Sequence, residues 1–153
     1  MADNFDEIMV EVKRRYELLL NAQVYKVENL PRQMSKAGIY LLSEQGRMLY
    51  VGRTNNLRKR LQYHTRNSHN QATLAFLLAR RDTGKTKASY QKVGSRLDLL
   101  NDPCFRKSFD AARSRIRRMD VQFMEEDNPI KQALLELYVA IELKAEYNEF
   151  DTH

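Results

Sequence analysis

Apolar residues recur along this chain with two different periods, and the switches between them mark its elements. Phe5, Ile8, Met9, Val12, Tyr16 and Leu19 return every three or four positions, the spacing of one helix face, so Asn4 to Leu20 is predicted helical. Asn4 followed by Glu7 makes a capping box at its start, and Pro31 closes the connection after it. The pattern then shortens. Ile39-Tyr40-Leu41-Leu42 and Met48-Leu49-Tyr50-Val51 are strand-like runs around Glu44-Gln45-Gly46, which predicts a hairpin over Gly38 to Gly52 with a three-residue loop. In that register Ser43 pairs with Arg47 and Tyr40 lies opposite Tyr50, so both phenols emerge on one sheet face. A loop of four residues would send them to opposite faces.

Helical spacing resumes over Asn56 to Arg66, with Leu57 and Leu61 facing inward, and over Gln71 to Arg81, built on Leu74, Leu77 and Leu78. Asp82 to Lys92 is polar and lysine-bearing, the composition of a loop. Ser95 to Leu100 has room for a short helical turn, and Cys104 to Met119 reads as a helix. Val121 to Met124 alternates as a third strand. Asn128-Pro129 then combines a cap residue with proline in the first turn, so a last helix is expected to run to about Ala145.

Length and charge change this picture in two ways. At 153 residues the chain suits one domain with a real core. Residues 53 to 118 hold 17 Lys/Arg against 4 Asp/Glu, residues 119 to 153 hold 2 against 9, and residues 1 to 52 hold 7 of each. The middle of the chain is thus a basic block of the kind that attracts polyanions, although a charge run is also what a solvated surface looks like. No stretch approaches the roughly 18 consecutive apolar residues of a membrane span. The acidic N-terminus lacks the layout of a secretory signal, and Cys104 has no second cysteine to pair with. A cytoplasmic protein that does not engage membranes is expected.

Several polar residues share faces with chemical consequence. Arg60 and His64, four apart, lie on one side of a helix. Arginine holds phosphate bidentately; a surface Arg with a nearby His is the ordinary alternative. Glu136 shares its helix face with Ala133, Val139, Ala140 and Leu143, an apolar setting in which a carboxylate needs a counter-ion or a metal. A salt-bridged structural glutamate would satisfy the same need. Tyr40 and Tyr50 are equally compatible with half-buried strand aromatics. His69 falls in a loop, and Tyr63, Tyr90, Lys85, Lys87 and Arg96 are further candidate substrate contacts.

Gly38-Ile39-Tyr40 followed by Tyr50-Val51-Gly52 resembles the paired signature of the GIY-YIG nucleases, a family of restriction enzymes, phage homing endonucleases and the N-terminal nuclease of a bacterial excinuclease. The offsets agree further along. An arginine ten residues after the second tyrosine is Arg60, a histidine four later is His64, and a helical glutamate with asparagine twelve residues on is Glu136 with Asn148. The second tripeptide departs mildly, with Val51 in place of isoleucine. Glu136 lies 76 positions after Arg60, more than a minimal member needs, so residues 67–118 are expected to be a basic helical insertion and 1–36 an N-terminal helical extension of one domain over 1–153.

The resemblance implies an α/β fold of the α+β type, a small, mostly antiparallel three-stranded sheet flanked by helices. It implies a metal-dependent endonuclease with Tyr40, Tyr50, Arg60, His64 and Glu136 in its centre, and Glu136 as ligand of one divalent ion, Mg²⁺ or Mn²⁺. Arg53, Arg58, Lys59 and Asn148 are the expected substrate-side residues, Asn148 also serving to hold the C-terminal segment against the hairpin. The substrate is a nucleic acid, DNA favoured over RNA by the resemblance alone, and a homodimer would extend a reading site too short for one chain. The alternative is a catalytically inactive nucleic-acid-binding module on the same fold. Which tyrosine takes a proton does not follow from spacing.

Overall fold

The computed structural model describes residues 4–67, 72–84 and 96–148. The chain divides into two compact units, Met1–Arg60 with Met119–His153, and Leu61–Arg118.

The first unit holds helix α1 (Phe5–Leu20), strands β1 (Tyr25–Lys26), β2 (Gly38–Glu44), β3 (Arg47–Thr54) and β4 (Asp120–Glu125), and helix α6 (Pro129–Leu143). Local chemistry starts both long helices. The Asn4 side chain accepts from the Glu7 N–H at 2.9 Å and donates to the Glu7 carboxylate at 3.3 Å. The Asn128 side chain accepts from the N–H groups of Ile130 and Lys131, with Pro129 in the first turn. These caps satisfy amides that have no partner within the helix.

The sheet has four antiparallel strands in the order β1-β4-β2-β3, one more than the sequence predicts. The added strand, β1, is two residues long and pairs Tyr25 with Val121 and Lys26 with Asp120 at the sheet edge. Two residues carry no detectable alternation, so only the pairing partner reveals them.

The hairpin also differs from expectation. Glu44 pairs with Arg47, so the loop is two residues, Gln45 and Gly46, with φ of 51° and 80°. Positive φ at both positions is the demand of a tight hairpin turn. Such a loop alone would put the two tyrosines on opposite faces. A bulge between Leu42 and Ser43 admits Leu49 as an extra residue, after which Leu42 pairs with Tyr50 and Tyr40 with Gly52. One turn residue fewer and one bulge residue more leave the parity unchanged, and both phenols share a face.

The opposite face packs Ile39, Leu41 and Val51 against Val12, Leu19, Leu135 and Val139 from α1 and α6. That cluster is the core of the first unit. Helix α2 (Leu57–Tyr63) follows β3, with Asn56 accepting from the Lys59 N–H at 3.1 Å.

The second unit contains α3 (Thr73–Thr83), α4 (Arg96–Asn101) and α5 (Pro103–Arg117). Phe76 of α3 meets Phe105 and Phe109 of α5 at ring-centroid distances of 5.1 and 6.4 Å. Several of its arginines serve this packing. Arg106 and Arg113 lie 5.6 and 5.9 Å from the Phe109 ring and flank Asp110. Arg113 and Arg117 donate to the Thr65 carbonyl. Most of the lysine-bearing segment expected as a loop, with Lys85, Lys87 and Tyr90, lies outside the described residues, as does His69.

Candidate functional site

Tyr40, on the central strand β2, is fully buried, while Tyr50 on β3 is half-exposed. Their rings approach to 6.2 Å between centroids with a 38° tilt. Glycine at 52 makes this possible. A Cβ built there would fall 2.3 Å from both Cζ and the hydroxyl of Tyr40, so the Tyr40 ring lies over the bare backbone of its cross-strand partner. Gly38 answers a second close approach, since a Cβ there would meet the Met124 carbonyl oxygen of β4.

Arg60, in α2, brings its guanidinium within hydrogen-bonding reach of both phenol oxygens. Burial works against its charge, but Tyr40 and then Tyr50 outweigh that and hold the proton on more firmly than usual. Burial likewise raises the pKa of Tyr40, with Tyr50 and Glu136 adding to the rise and Arg60 opposing it. Tyr40 therefore keeps its proton at neutral pH unless further positive charge arrives.

Glu136, on α6, is partly buried at 26% side-chain exposure, and Arg53 Nε stands 4.0 Å from its carboxylate. Burial raises its pKa above the ordinary carboxylate range, while the charge and backbone N–H of Arg53 pull the other way. A carboxylate in that condition gains from a cation. Among the described residues no group of three or more His, Cys, Asp or Glu side chains could hold a metal. Any ion here would take one protein carboxylate, with water and substrate oxygens completing its shell, which suits Mg²⁺ better than a metal needing a closed cage.

The other expected residues are placed as follows. Arg58 donates to the carbonyls of Pro31 and Arg32, at 3.1 Å for the latter, so its guanidinium ties α2 to the segment before β2 instead of standing open to a phosphate. Lys59 is exposed. The Asn148 carboxamide accepts from the Val51 N–H at 2.9 Å and donates to the Val51 carbonyl at 2.7 Å, pairing with the outer edge of β3 as a peptide group would. Glu146 and Tyr147 continue that edge through Met48 and Leu49. Glu146 is ion-paired with Arg47 at 2.6 Å. His64 follows the last residue of α2, is fully buried, and belongs to the second unit. Sequence reasoning found no role for the Glu146 pair because nothing local signals it; its partner is 99 positions away.

A buried phenol packed over glycine, a second phenol beside it, a guanidinium in reach of both and a partly buried carboxylate are united in one further finding. A model of the GIY-YIG catalytic domain matches residues 36–148. The chain belongs to the GIY-YIG family. No curated protein and no solved structure matches it. The matched span begins just before β2 and ends on Asn148, so α1 precedes the GIY-YIG domain while the helices of the second unit fall within its limits. Membership makes nuclease chemistry the activity of the fold and a nucleic acid its substrate class. No helix is long and apolar enough to cross a membrane among the described residues.

Proposed function

We propose that this chain is a metal-dependent endonuclease that hydrolyses DNA phosphodiester bonds with water as nucleophile and one divalent metal. The observation that carries the reading is the convergence of Tyr40, Tyr50 and Arg60 on one sheet face, with Glu136 close enough to raise the proton affinity of Tyr40.

The chain's own groups divide the work. One tyrosine of the pair, once deprotonated to the phenolate, accepts the proton of the attacking water. Tyr50 is the phenol with access to solvent, and buried Tyr40 responds to whatever positive charge stands beside it. Arg60 offsets the negative charge that builds on the phosphoryl oxygens as the water oxygen bonds to phosphorus and the P–O bond to the sugar opposite it breaks, the departing sugar oxygen taking a proton from solvent. Arg53, exposed beside Glu136, contacts a phosphate of the same strand. Glu136 fits as the protein ligand of the metal, Mg²⁺ or Mn²⁺, which when bound supplies Lewis-acid polarisation of the phosphate. His64 enters no step here.

The test is cleavage of supercoiled plasmid and of single-stranded DNA with Mg²⁺ or Mn²⁺, wild type beside Glu136→Ala and Tyr40→Phe. Metal-dependent cutting by the wild type alone is expected. Cutting retained by Glu136→Ala would remove Glu136 as ligand, and salt-sensitive binding without any cutting would reduce the chain to an inactive binding module.

A further inference from the structure

The sheet face that carries the tyrosines does not end with them. Residues paired across antiparallel strands share a face, and the pairs Tyr40 with Phe123, Leu42 with Val121 and Tyr25 with Val121 carry that face outward through β4 to β1. At its far side Tyr25 and Phe123 stack at 5.7 Å with their planes 23° apart. They line a cleft of about 360 Å³ together with Met34, Gln23, Gln33 and Ser35. Its volume lies at the low end of small-ligand sites.

The composition of this cleft is unlike that of a phosphate site. Among the described residues no charged side chain lines it, although the chain as a whole is strongly basic. What it offers is an aromatic pair, a polarisable thioether and three side chains that both donate and accept hydrogen bonds, with Gln23 and Gln33 exposed and Ser35 half-buried. Flat aromatic surface beside paired donors and acceptors suits the face and the polar edge of a nucleobase. Adjacent strands stand roughly 5 Å apart, so a base in the cleft sits one or two strand widths from Tyr40, the reach of a neighbouring nucleotide.

We propose that this cleft receives one unstacked nucleobase of the substrate strand, next to the phosphate held at Tyr40 and Arg60. The proposal rests on the nuclease reading for its account of what the neighbouring site holds. A base inside a duplex is out of reach of such a cleft, so the strand enters with that nucleotide unpaired or turned out of the stack. Substrates already unpaired at that position are therefore bound more tightly than fully paired ones.

Photocrosslinking tests this on the full chain carrying Glu136→Ala, which leaves the probe uncut. The probe is a short single-stranded DNA containing iodouracil, a base that on irradiation joins to aromatic side chains lying against it. Crosslinked peptides containing Tyr25 or Phe123 are expected. Phe123→Leu, which keeps the volume apolar, should weaken binding of that DNA about tenfold, as loss of a stacking partner does. Gln33→Ala, at an exposed position, should change affinity unequally for oligonucleotides of different base. Crosslinks confined to other peptides, with both variants binding as the parent does, would overturn the cleft even if the wild type cuts DNA. A wild type that cuts nothing, with the crosslink on Tyr25 or Phe123, would retain the cleft and remove the nuclease reading instead.

Discussion

Two faces of one sheet arise from the same pair of strands, and only one of them carries the phenols. Ile39, Leu41 and Val51 join α1 and α6 in an apolar cluster, where removing hydrocarbon from water is the main contribution. Tyr40 and Tyr50 turn the other way and bury phenols beside the Arg60 guanidinium. Polar burial of that kind is tolerated only where the groups satisfy one another. The first face can lose a methylene and lose only stability. The second holds groups whose proton affinities are displaced by their surroundings, which is the condition of a reactive site. Glu136 links the two, since the helix that covers the apolar face also delivers the carboxylate.

The largest effect should separate function from stability at Glu136. Glu136→Gln is expected to lower cleavage by about a thousandfold without lowering stability at neutral pH. The sign follows from the raised carboxylate pKa. A group that holds its proton more tightly when folded contributes stability below its unfolded pKa and loses it as pH rises through the folded one. The neutral amide escapes that loss. Thermal melting followed from acid to neutral pH checks it, and a variant that melts lower than wild type near neutrality would contradict it. Added Mg²⁺ should raise the melting temperature of wild type and leave the variant unmoved.

Arg60→Lys keeps the charge but not the planar fork that reaches both phenols, so kcat should fall about a hundredfold. Single-turnover cleavage measures it; a loss confined to KM would assign Arg60 to binding alone. On the apolar face, Leu41→Ala should reduce unfolding free energy by about 2–5 kcal/mol, with the folded fraction retaining its kcat. Denaturant unfolding alongside activity per folded molecule makes the contrast direct, and a kcat that collapses with Leu41 would erase the division between faces.

The rate should also rise with pH. Burial raises the Tyr40 pKa more than Arg60 lowers it, so the deprotonated fraction grows about tenfold per unit through the neutral range. A pH profile of kcat/KM shows this, and Tyr40→Phe should flatten it; a bell centred near neutrality would point to another base. The smallest effect belongs to the sheet edge. Asn148→Ala removes both partners of the Val51 peptide at an accessible strand, worth about 1 kcal/mol, and hydrogen exchange at Val51 should accelerate.

Much of this is legible in the order of residues. The helices starting at Asn4 and Asn128 are readable because a cap and a repeating apolar face are local facts. The two tyrosines, Arg60 and Glu136 are readable because their spacing matches a family signature. The hairpin shows the limit. A three-residue loop and a two-residue loop with a bulge give the same facing of Tyr40 and Tyr50, so the functional conclusion survives a wrong loop length. Arg58 is legible only as a cation on a basic helix, because the carbonyls it holds lie 26 and 27 positions earlier.

Nearest neighbours along the chain dictate the helices and the three longer strands, which face of each is apolar, and where the basic charge lies. Tertiary structure alone decided that Glu146 pairs with Arg47, that Tyr25 forms a fourth strand beside β4, and that Glu136 stands beside Arg53 and near Tyr40. The reason is physical. Burial and charge proximity set proton affinities, and both depend on residues 83 to 96 positions apart meeting in space.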